Sequence, residues 1–479
     1  MRAVCSQQDG RPCGQNGFGS TSGEPSTLEP TDNLNEVAAP PPVYDPSDKS
    51  VRQDDYLENQ VPGHGDASHP SPRETRNEPD HVQSPDDDPQ EKHLKHERIV
   101  KLLRITYVVS YLILFSIIGT LLRLVIQCLT FYPGTPVNTS ILWANVGGSM
   151  AMGFLSEDQE LFRFDSVESS IPEPARDNPS ERAAHLKAHK KTVPLYIGLT
   201  TGFCGSLTSF STFIRDVFLA LSNNLAVPNG SYRQVSVFTS SSVGLRAPNG
   251  GFSFMALIAV LFTEIGLSLA GLFLGAHIAI ALSRWTPSLS QSWLRKYLDP
   301  LSVILACLSW VVVICLVILL PQHHAVATLW SPDLWRGPFL FALVFAPVGC
   351  LARFFISLKL NSRIVSFPLG TFAVNVGGTI VLGMAFALQH APADSSQLGM
   401  GGVTGCRVLQ GIMDGFCGCL TTVSTWVLEL SDLRRRHAYL YGGVSVAVGL
   451  CFLVVEIGSL QWTRGLATPA CFKGDLPRI

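Results

Sequence analysis

The stretch "GFCGSLTSFSTF" at residues 202–213 returns as "GFCGCLTTVSTW" at residues 415–426, and eight of the twelve letters agree. Both copies lie among apolar residues and combine glycines with serines and threonines. Within a membrane span, this composition indicates either a broken helix or close packing of helices through small residues. A break inside the bilayer requires the freed backbone groups to be buried in protein or to face a polar pathway. The stretch therefore predicts a broken membrane helix in each half of the chain.

Apolar runs of about 20 residues, the length that a helix needs to cross a bilayer, follow one another after residue 104. They predict an all-α integral membrane protein. Residues 1–103 are polar and proline-rich by contrast, which predicts a disordered N-terminal tail, and residues 463–479 form a C-terminal tail. The nine predicted spans lie near residues 105–131, 138–155, 193–222, 253–283, 300–320, 338–358, 367–390, 406–430 and 437–462.

Basic residues predict the orientation, because they accumulate in the cytoplasmic loops of membrane proteins. Five of them precede the first span, and the loops expected on the same side of the membrane hold most of the others. The opposite loops are nearly bare, and one of them carries an Asn-Gly-Ser sequon at Asn229 that suits a non-cytoplasmic face. We therefore expect a cytoplasmic N-terminus and an extracellular C-terminus.

Two further motifs recur along the chain. "GTLLR" (119–123) matches "GCLAR" (349–353), and "NVGGSMAMG" (145–153) matches "NVGGTIVLG" (375–383), both at an offset of 230 residues. The pattern predicts two four-span repeats, at residues 104–283 and 336–462, joined by a linker (284–335) with one membrane helix. The single linking span inverts the second repeat relative to the first. In such inverted repeats, the working site lies at the interface between the repeats.

Groups that donate hydrogen bonds recur within the predicted spans. Asn145 and Asn375 begin the repeated NVGG motif; a buried amide either joins helices or lines a passage, and its repetition favours the passage. Phe210 and Phe213 share one helical face, where they either pack in the core or present the positive edges of their rings. With these groups, four hydroxyl side chains favour a small anion as the ligand: Ser211, Thr212, Ser424 and Thr425.

Charged residues within the spans leave several roles open. Arg123 and Arg353 occupy equivalent places, either attracting anions in a vestibule or pairing with the carbonyl groups of helix ends. The carbonyl groups at two breaks that meet would suit a hard monovalent cation. Most cysteines lie inside spans, which predicts small core residues rather than a disulfide framework or a metal site. Four acids near the motifs are expected at helix ends or against arginines: Asp216, Glu264, Asp414 and Glu429.

On these motifs, the chain resembles the fluoride channel family, called Fluc or CrcB in bacteria and FEX in eukaryotes, over about residues 105–462. The resemblance implies four-span units that dimerise antiparallel in bacteria and are fused through one extra span in eukaryotes. It implies a structural sodium ion on the backbone carbonyls of Gly205, Thr208, Gly418 and Thr421, and vestibules near Arg123 and Arg353. The implied fluoride pore residues are Asn145, Phe210, Ser211, Thr212, Phe213, Asn375, Ser424, Thr425, Trp426, Tyr441 and Ser445.

The resemblance implies a passive, fluoride-selective channel that exports cytoplasmic fluoride across the plasma membrane. We expect it to work as a monomer of two fused repeats in the lipid bilayer, with no enzymatic activity and no nucleic-acid partner. The second copy of the repeated stretch has Val423 and Trp426 where the family pattern has phenylalanine, which predicts one degraded pore and places Phe210 and Phe213 on the better-preserved track. Two alternatives are a coupled secondary transporter of another small ion and a non-conducting relic whose tail binds partners.

Overall fold

The computed structural model describes residues 89–471 except residues 165–170, 172–178, 226–248, 320–331, 393–401 and a few isolated loop positions. Most of the predicted N-terminal tail, the sequon at Asn229 and the last eight residues lie outside the described residues. Helix α1 begins at Pro89, so the tail prediction is corrected for residues 89–103, which are helical. These residues alternate charged and apolar side chains with good helix propensity, and they continue directly into the first span.

The described part of the chain contains helices and no strand. Helices α4, α7, α10 and α12 each consist of consecutive α- and π-helical pieces. The first half contains α1 (Pro89–Thr130), α2 (Leu142–Glu157), α3 (Pro179–Lys190), α4 (Pro194–Ile197, Gly198–Cys204, Gly205–Leu207), α5 (Phe210–Leu221) and α6 (Gly250–Leu282). The linking helix is α7 (Gln291–Trp293, Leu294–Leu298, Asp299–Leu319). The second half contains α8 (Pro332–Leu360), α9 (Leu369–His390), α10 (Gly402–Gly411, Ile412–Cys417, Gly418–Leu420), α11 (Ser424–Asp432) and α12 (Arg435–Leu453, Val454–Gly458, Ser459–Thr463).

Seven helical stretches of the described residues are long and apolar enough to cross a membrane. They correspond to all predicted spans except the second and third. The second is helix α2, which has only 16 residues, and the third is divided between α4 and α5. Large apolar side chains are exposed along α6 and α7; Phe262, for example, is 74% exposed. Exposed apolar faces of this extent suit contact with lipid.

Each predicted break is present in the structure. Helix α4 ends at Leu207, Thr208 is extended (φ −97°, ψ 152°), and α5 then begins. The second half repeats this geometry, because α10 ends at Leu420 and Thr421 is extended (φ −96°, ψ 155°). A π-helical segment precedes both breaks, and such segments are frequent at functional sites.

The segments after the breaks lie against helices of the opposite half. Helix α5 packs against α9 and α12 of the second half, and α11 packs against α2 and α6 of the first. The end of α4 contacts the end of α10, so the two breaks meet at a crossing between the halves. Helix α7 packs against α1 and α8 outside this crossing.

A disulfide joins Cys406, in α10, to Cys471, which follows the last helix. The sequence favoured core positions over a disulfide framework for cysteines inside the spans, and Cys406 departs from that interpretation. Cys471 lies in the C-terminal tail, and the backbone there returns to the end of α9, where the Ala467 amide donates to the His390 carbonyl. Cys417 and Cys419 are buried and free.

Candidate functional site

The threonine at each break caps the helix that begins after the opposite break. The Thr208 Oγ1 atom accepts hydrogen bonds from the backbone amides of Val423 and Ser424, both at 3.2 Å. The Thr421 Oγ1 atom accepts one from the Ser211 amide at 3.1 Å. An N-terminal helix end leaves amide donors unsatisfied, so these crossed caps hold the two helix starts together in the middle of the molecule.

Hydroxyl groups surround the crossing and are shielded from solvent. The Oγ atoms of Ser211 and Thr421 lie 3.1 Å apart, and Thr208 donates to the Ser424 hydroxyl at 3.2 Å. Thr212 Oγ1 lies 2.9 Å from Ser209 Oγ. The structure therefore brings three of the four predicted hydroxyl side chains to one place.

The two repeated asparagines play equivalent structural roles beside the breaks. Asn145 Oδ1 accepts from the Ser209 amide at 2.9 Å, and Asn375 Oδ1 accepts from the Thr422 amide at 2.8 Å. Both side chains are completely buried. Of the two roles left open, these contacts favour joining the helices, because each amide side chain satisfies a backbone donor freed by a break.

Arginines from each half reach the break of the other half. Arg353 Nη1 donates to the Gly205 carbonyl at 2.6 Å, and its Nη2 donates to the Thr201 carbonyl at 2.5 Å. Arg123 Nη2 donates to the Asp414 carbonyl, which is equivalent to that of Thr201. Both guanidinium groups therefore neutralise carbonyl ends, as one of the two predicted roles requires. The partly positive starts of α5 and α11 face the same buried region.

The predicted sodium ligands are divided by this arrangement. Arg353 Nη1 donates to the carbonyl oxygens of Gly205 and Thr421, at 2.6 Å and 3.3 Å. At these two oxygens, the Arg353 guanidinium group, rather than a sodium ion, supplies the positive charge. The carbonyl oxygens of Thr208 and Gly418 are the two remaining candidates for an ion.

Aromatic rings from both halves meet beside α12. The ring of Phe210 contacts those of Phe213 (centroids 5.7 Å apart) and Trp426 (5.3 Å), both edge to face. A Cβ placed on Gly449 would lie 3.7 Å from Phe210, and one placed on Gly442 would lie 3.7 Å from Trp426. Gly442, Ser445 and Gly449 lie at positions i, i+3 and i+7 and therefore share one face of α12. Phe210 therefore shares the α12 side with Trp426 of the opposite half.

The buried Glu264 lies neither at a helix end nor against an arginine, contrary to the prediction, whereas Glu429 lies in the last turn of α11, as predicted. Glu264 lies in the middle of α6 and accepts a hydrogen bond from Asn145 Nδ2 at 3.0 Å. Glu429 accepts from the Tyr441 hydroxyl at 2.7 Å and from Thr371 Oγ1 at 2.6 Å. Neither contact involves an arginine, and Thr371 is not among the predicted site residues. An acid within an apolar run was the available signal, since such residues mark polar pathways.

The other two acids near the motifs are Asp216 and Asp414. Asp216 pairs with Arg215 at 2.9 Å, which confirms its predicted packing against an arginine. Asp414 lies in the π-helical part of α10 and accepts a hydrogen bond from the Gln410 side chain at 2.7 Å. Asp216 and Glu429 occupy equivalent places just after the two copies of the repeated stretch, so the two halves differ in the partners of this acid.

A cavity with both polar and apolar lining residues leads from the loop before α4 towards the crossing. Lys191 lies in that loop, and burial lowers its pKa to about 8, so the amine is protonated below that pH. Arg353 and Thr425 belong to the same lining, which agrees with a vestibule position for the arginine. The lining residues nearest the crossing are Arg353, Thr371, Thr422, Thr425 and Glu429.

Comparisons with known proteins agree with the internal repeat. A family model described as CrcB-like protein, Camphor Resistance (CrcB), matches residues 110–252 and 340–458, together more than half of the chain. Fluoride export protein 1 of Neurospora crassa is 50% identical over 396 residues, which cover 79% of this chain and 71% of that protein. Fluoride export protein 1 of Candida albicans is 32% identical, covering 73% and 79% of the two chains.

A bacterial relative matches one half only. The fluoride-specific ion channel FluC of Chromobacterium violaceum is 37% identical over 135 residues, which cover 27% of this chain and 99% of that protein. No solved structure matches the chain. One bacterial chain therefore has the length of one repeat.

Proposed function

Because the chain belongs to the CrcB family, we propose that it exports fluoride from the cytoplasm through a passive, fluoride-selective channel. The relatives' names describe fluoride export and fluoride-specific ion channels, neither of which is an enzymatic activity. The observation that carries the proposal is the crossing, where two helix N-termini, buried hydroxyls and ring edges meet. Such groups replace the hydration shell of a small anion, and the arginines neutralise the carbonyl ends nearby.

Export without energy coupling agrees with the chemistry of fluoride. Hydrogen fluoride crosses membranes as a neutral molecule and dissociates in the neutral cytoplasm, where the anion is trapped. A negative-inside potential drives an anion outward with about 2.3 kcal/mol per charge for each 100 mV. An open pathway is therefore sufficient, and a monomer of two fused repeats in the plasma membrane would provide it.

We assign conduction to the α12 side of the crossing and regard the α6 side as degraded. On the α12 side, Phe210 and Trp426 face the helix that carries Tyr441 and Ser445. On the α6 side, the position equivalent to Phe210 is held by Val423, which has no aromatic ring. This side also presents the Glu264 carboxyl group, bonded to Asn145, where α12 presents Tyr441.

A nine-span, inverted topology with the N-terminus inside is part of the proposal. It is supported by the basic loops and by the Cys406–Cys471 disulfide, since disulfides persist in oxidising compartments. In intact cells and in a Cys128→Ser background, which removes an exposed free thiol near the end of α1, we expect external PEG-maleimide to label a Cys406→Ser variant at Cys471. A Cys406→Ser/Cys471→Ser variant in the same background should stay unlabelled. Labelling of Cys471 only after the cells are permeabilised would place the C-terminus in the cytoplasm and contradict the topology.

Fluoride efflux from liposomes that contain the purified protein tests the function, with chloride efflux as the comparison. We expect selective fluoride efflux, and we expect Phe210→Ile to slow it at least about tenfold because the ring contacts Trp426 and faces α12. The control is Phe262→Ile, which changes an exposed side chain of α6. Absence of fluoride efflux from the unaltered protein would overturn the channel.

The same liposomes test the structural sodium ion. We propose that sodium binds at the crossing through the carbonyl oxygens of Thr208 and Gly418, supported by the meeting of the two breaks. Replacing sodium by N-methyl-D-glucamine during purification and assay should then lower the thermal stability of the protein. Equal stability in both buffers would indicate that the arginines alone supply the positive charge.

One observation favours a second candidate, a coupled secondary transporter of a small ion. Glu264 is a buried carboxyl group in the middle of a membrane helix, the type of residue that couples ion movement to protons. The two candidates differ in their response to a pH gradient. A channel conducts fluoride without one, whereas a proton-coupled transporter requires it and loses coupling in a Glu264→Gln variant.

A further inference from the structure

The indole group of Trp426 lies in the interior with an unused donor. Its side chain is 1% exposed, and Nε1 makes no hydrogen bond to any of the described residues. A buried indole N–H usually finds a partner, because leaving the group desolvated and unpaired costs free energy. This donor is therefore available to a ligand that enters the interior.

The position of the ring identifies where such a ligand would pass. Trp426 contacts Phe210 edge to face and lies against Gly442 of α12, while Phe210 lies against Gly449. Ser445 stands between these glycines on the same helical face and is completely buried. The indole ring thus borders the face of α12 to which the proposed function assigns conduction.

The chemistry of an indole suits a fluoride ion. Fluoride is a small anion and a strong hydrogen-bond acceptor, so a dehydrated site must offer it donors. A ring edge offers only weakly polarised C–H groups, whereas an indole N–H is a full donor held on a rigid ring and carries no charge. Phe213 fills the equivalent place in the first half and has no such donor.

We propose that Trp426 Nε1 donates a hydrogen bond to fluoride in the α12 pathway. The proposal rests on the proposed function, which it extends by one specificity-determining residue. It also changes the interpretation of the second copy of the repeated stretch: at Trp426 the ring edge is replaced by a stronger donor, and only Val423 represents a loss.

The test removes the N–H and keeps an aromatic ring. We expect Trp426→Phe to lower the fluoride efflux rate about tenfold, equivalent to about 1.4 kcal/mol, and to reduce the preference for fluoride over chloride. The matched control is Trp462→Phe, which alters an exposed tryptophan of α12 and should conduct like the unaltered protein. Efflux and selectivity unchanged in Trp426→Phe would overturn the proposal.

A second substitution separates this donor from packing. Benzothienylalanine, introduced at position 426 by codon suppression, keeps the shape of the indole and replaces its N–H by sulfur. A tenfold loss with this residue supports the hydrogen bond even if Trp426→Phe folds poorly, and full activity with it refutes the bond. Failure of the proposed function is distinguishable, because the unaltered protein would then show no fluoride efflux.

Discussion

A Gly275→Ala substitution is expected to abolish both the folded protein and fluoride efflux. A Cβ at this position in α6 would lie 1.9 Å from the carbonyl oxygen of Met150 in α2. The obstacle is backbone, so it cannot move aside as a flexible side chain does. The helices would have to separate, which would displace Asn145 from Glu264 and from the break that it caps. Membrane helices depend on such close contacts because lipid supplies no hydrophobic force between them.

Gly266→Ala, on the same helix, provides the matched control. A Cβ there meets nothing within 4 Å. Since alanine has a higher helix propensity than glycine by about 1 kcal/mol, the substitution should leave folding intact or improve it. Size-exclusion profiles in detergent and efflux from liposomes give the two readouts. A Gly275→Ala protein that elutes as a single peak and conducts at the normal rate would contradict the packing described between α2 and α6.

The sequence was sufficient to predict features that depend on one half at a time. The glycine and hydroxyl pattern predicted both breaks, because a membrane helix cannot carry that composition without close packing or an interruption. Apolar run lengths predicted the helices, although the third and eighth runs are each divided by a break. The internal offset of 230 residues predicted that Arg123 and Arg353 are equivalent.

Contacts between the halves could not be predicted in the same way. Repetition shows that two residues are equivalent but not which helix each one faces. Phe210 was therefore grouped with Phe213, its neighbour in sequence, although it also contacts Trp426 of the other half. Likewise, only the folded chain shows that Glu264 bonds to Asn145, since 119 residues separate them. The disulfide escaped prediction because Cys471 lies beyond the last span.

Replacement of Arg353 by methionine should cause the second large loss. The guanidinium group is 3% exposed and donates to the carbonyl oxygens of Thr201, Gly205 and Thr421. A methionine of similar length leaves these acceptors without the arginine, and each unsatisfied buried group costs about 1–3 kcal/mol. The sum is a large fraction of the stability of a typical domain, about 5–15 kcal/mol. We expect little monodisperse protein and no measurable fluoride efflux.

Two further variants show whether charge or geometry is responsible. Arg353→Lys retains the positive charge, but an ammonium group cannot reproduce the planar fork of the guanidinium, so partial folding and slow efflux are expected. Arg363→Met removes a charge from an exposed position after α8 and should change neither readout. If Arg353→Met folds only in high sodium, an ion has replaced the guanidinium group, which would add the carbonyl oxygens of Gly205 and Thr421 to the proposed sodium ligands. Normal folding of Arg353→Met without sodium would contradict the role of the arginine, because the carbonyl ends at the crossing would then need no cation.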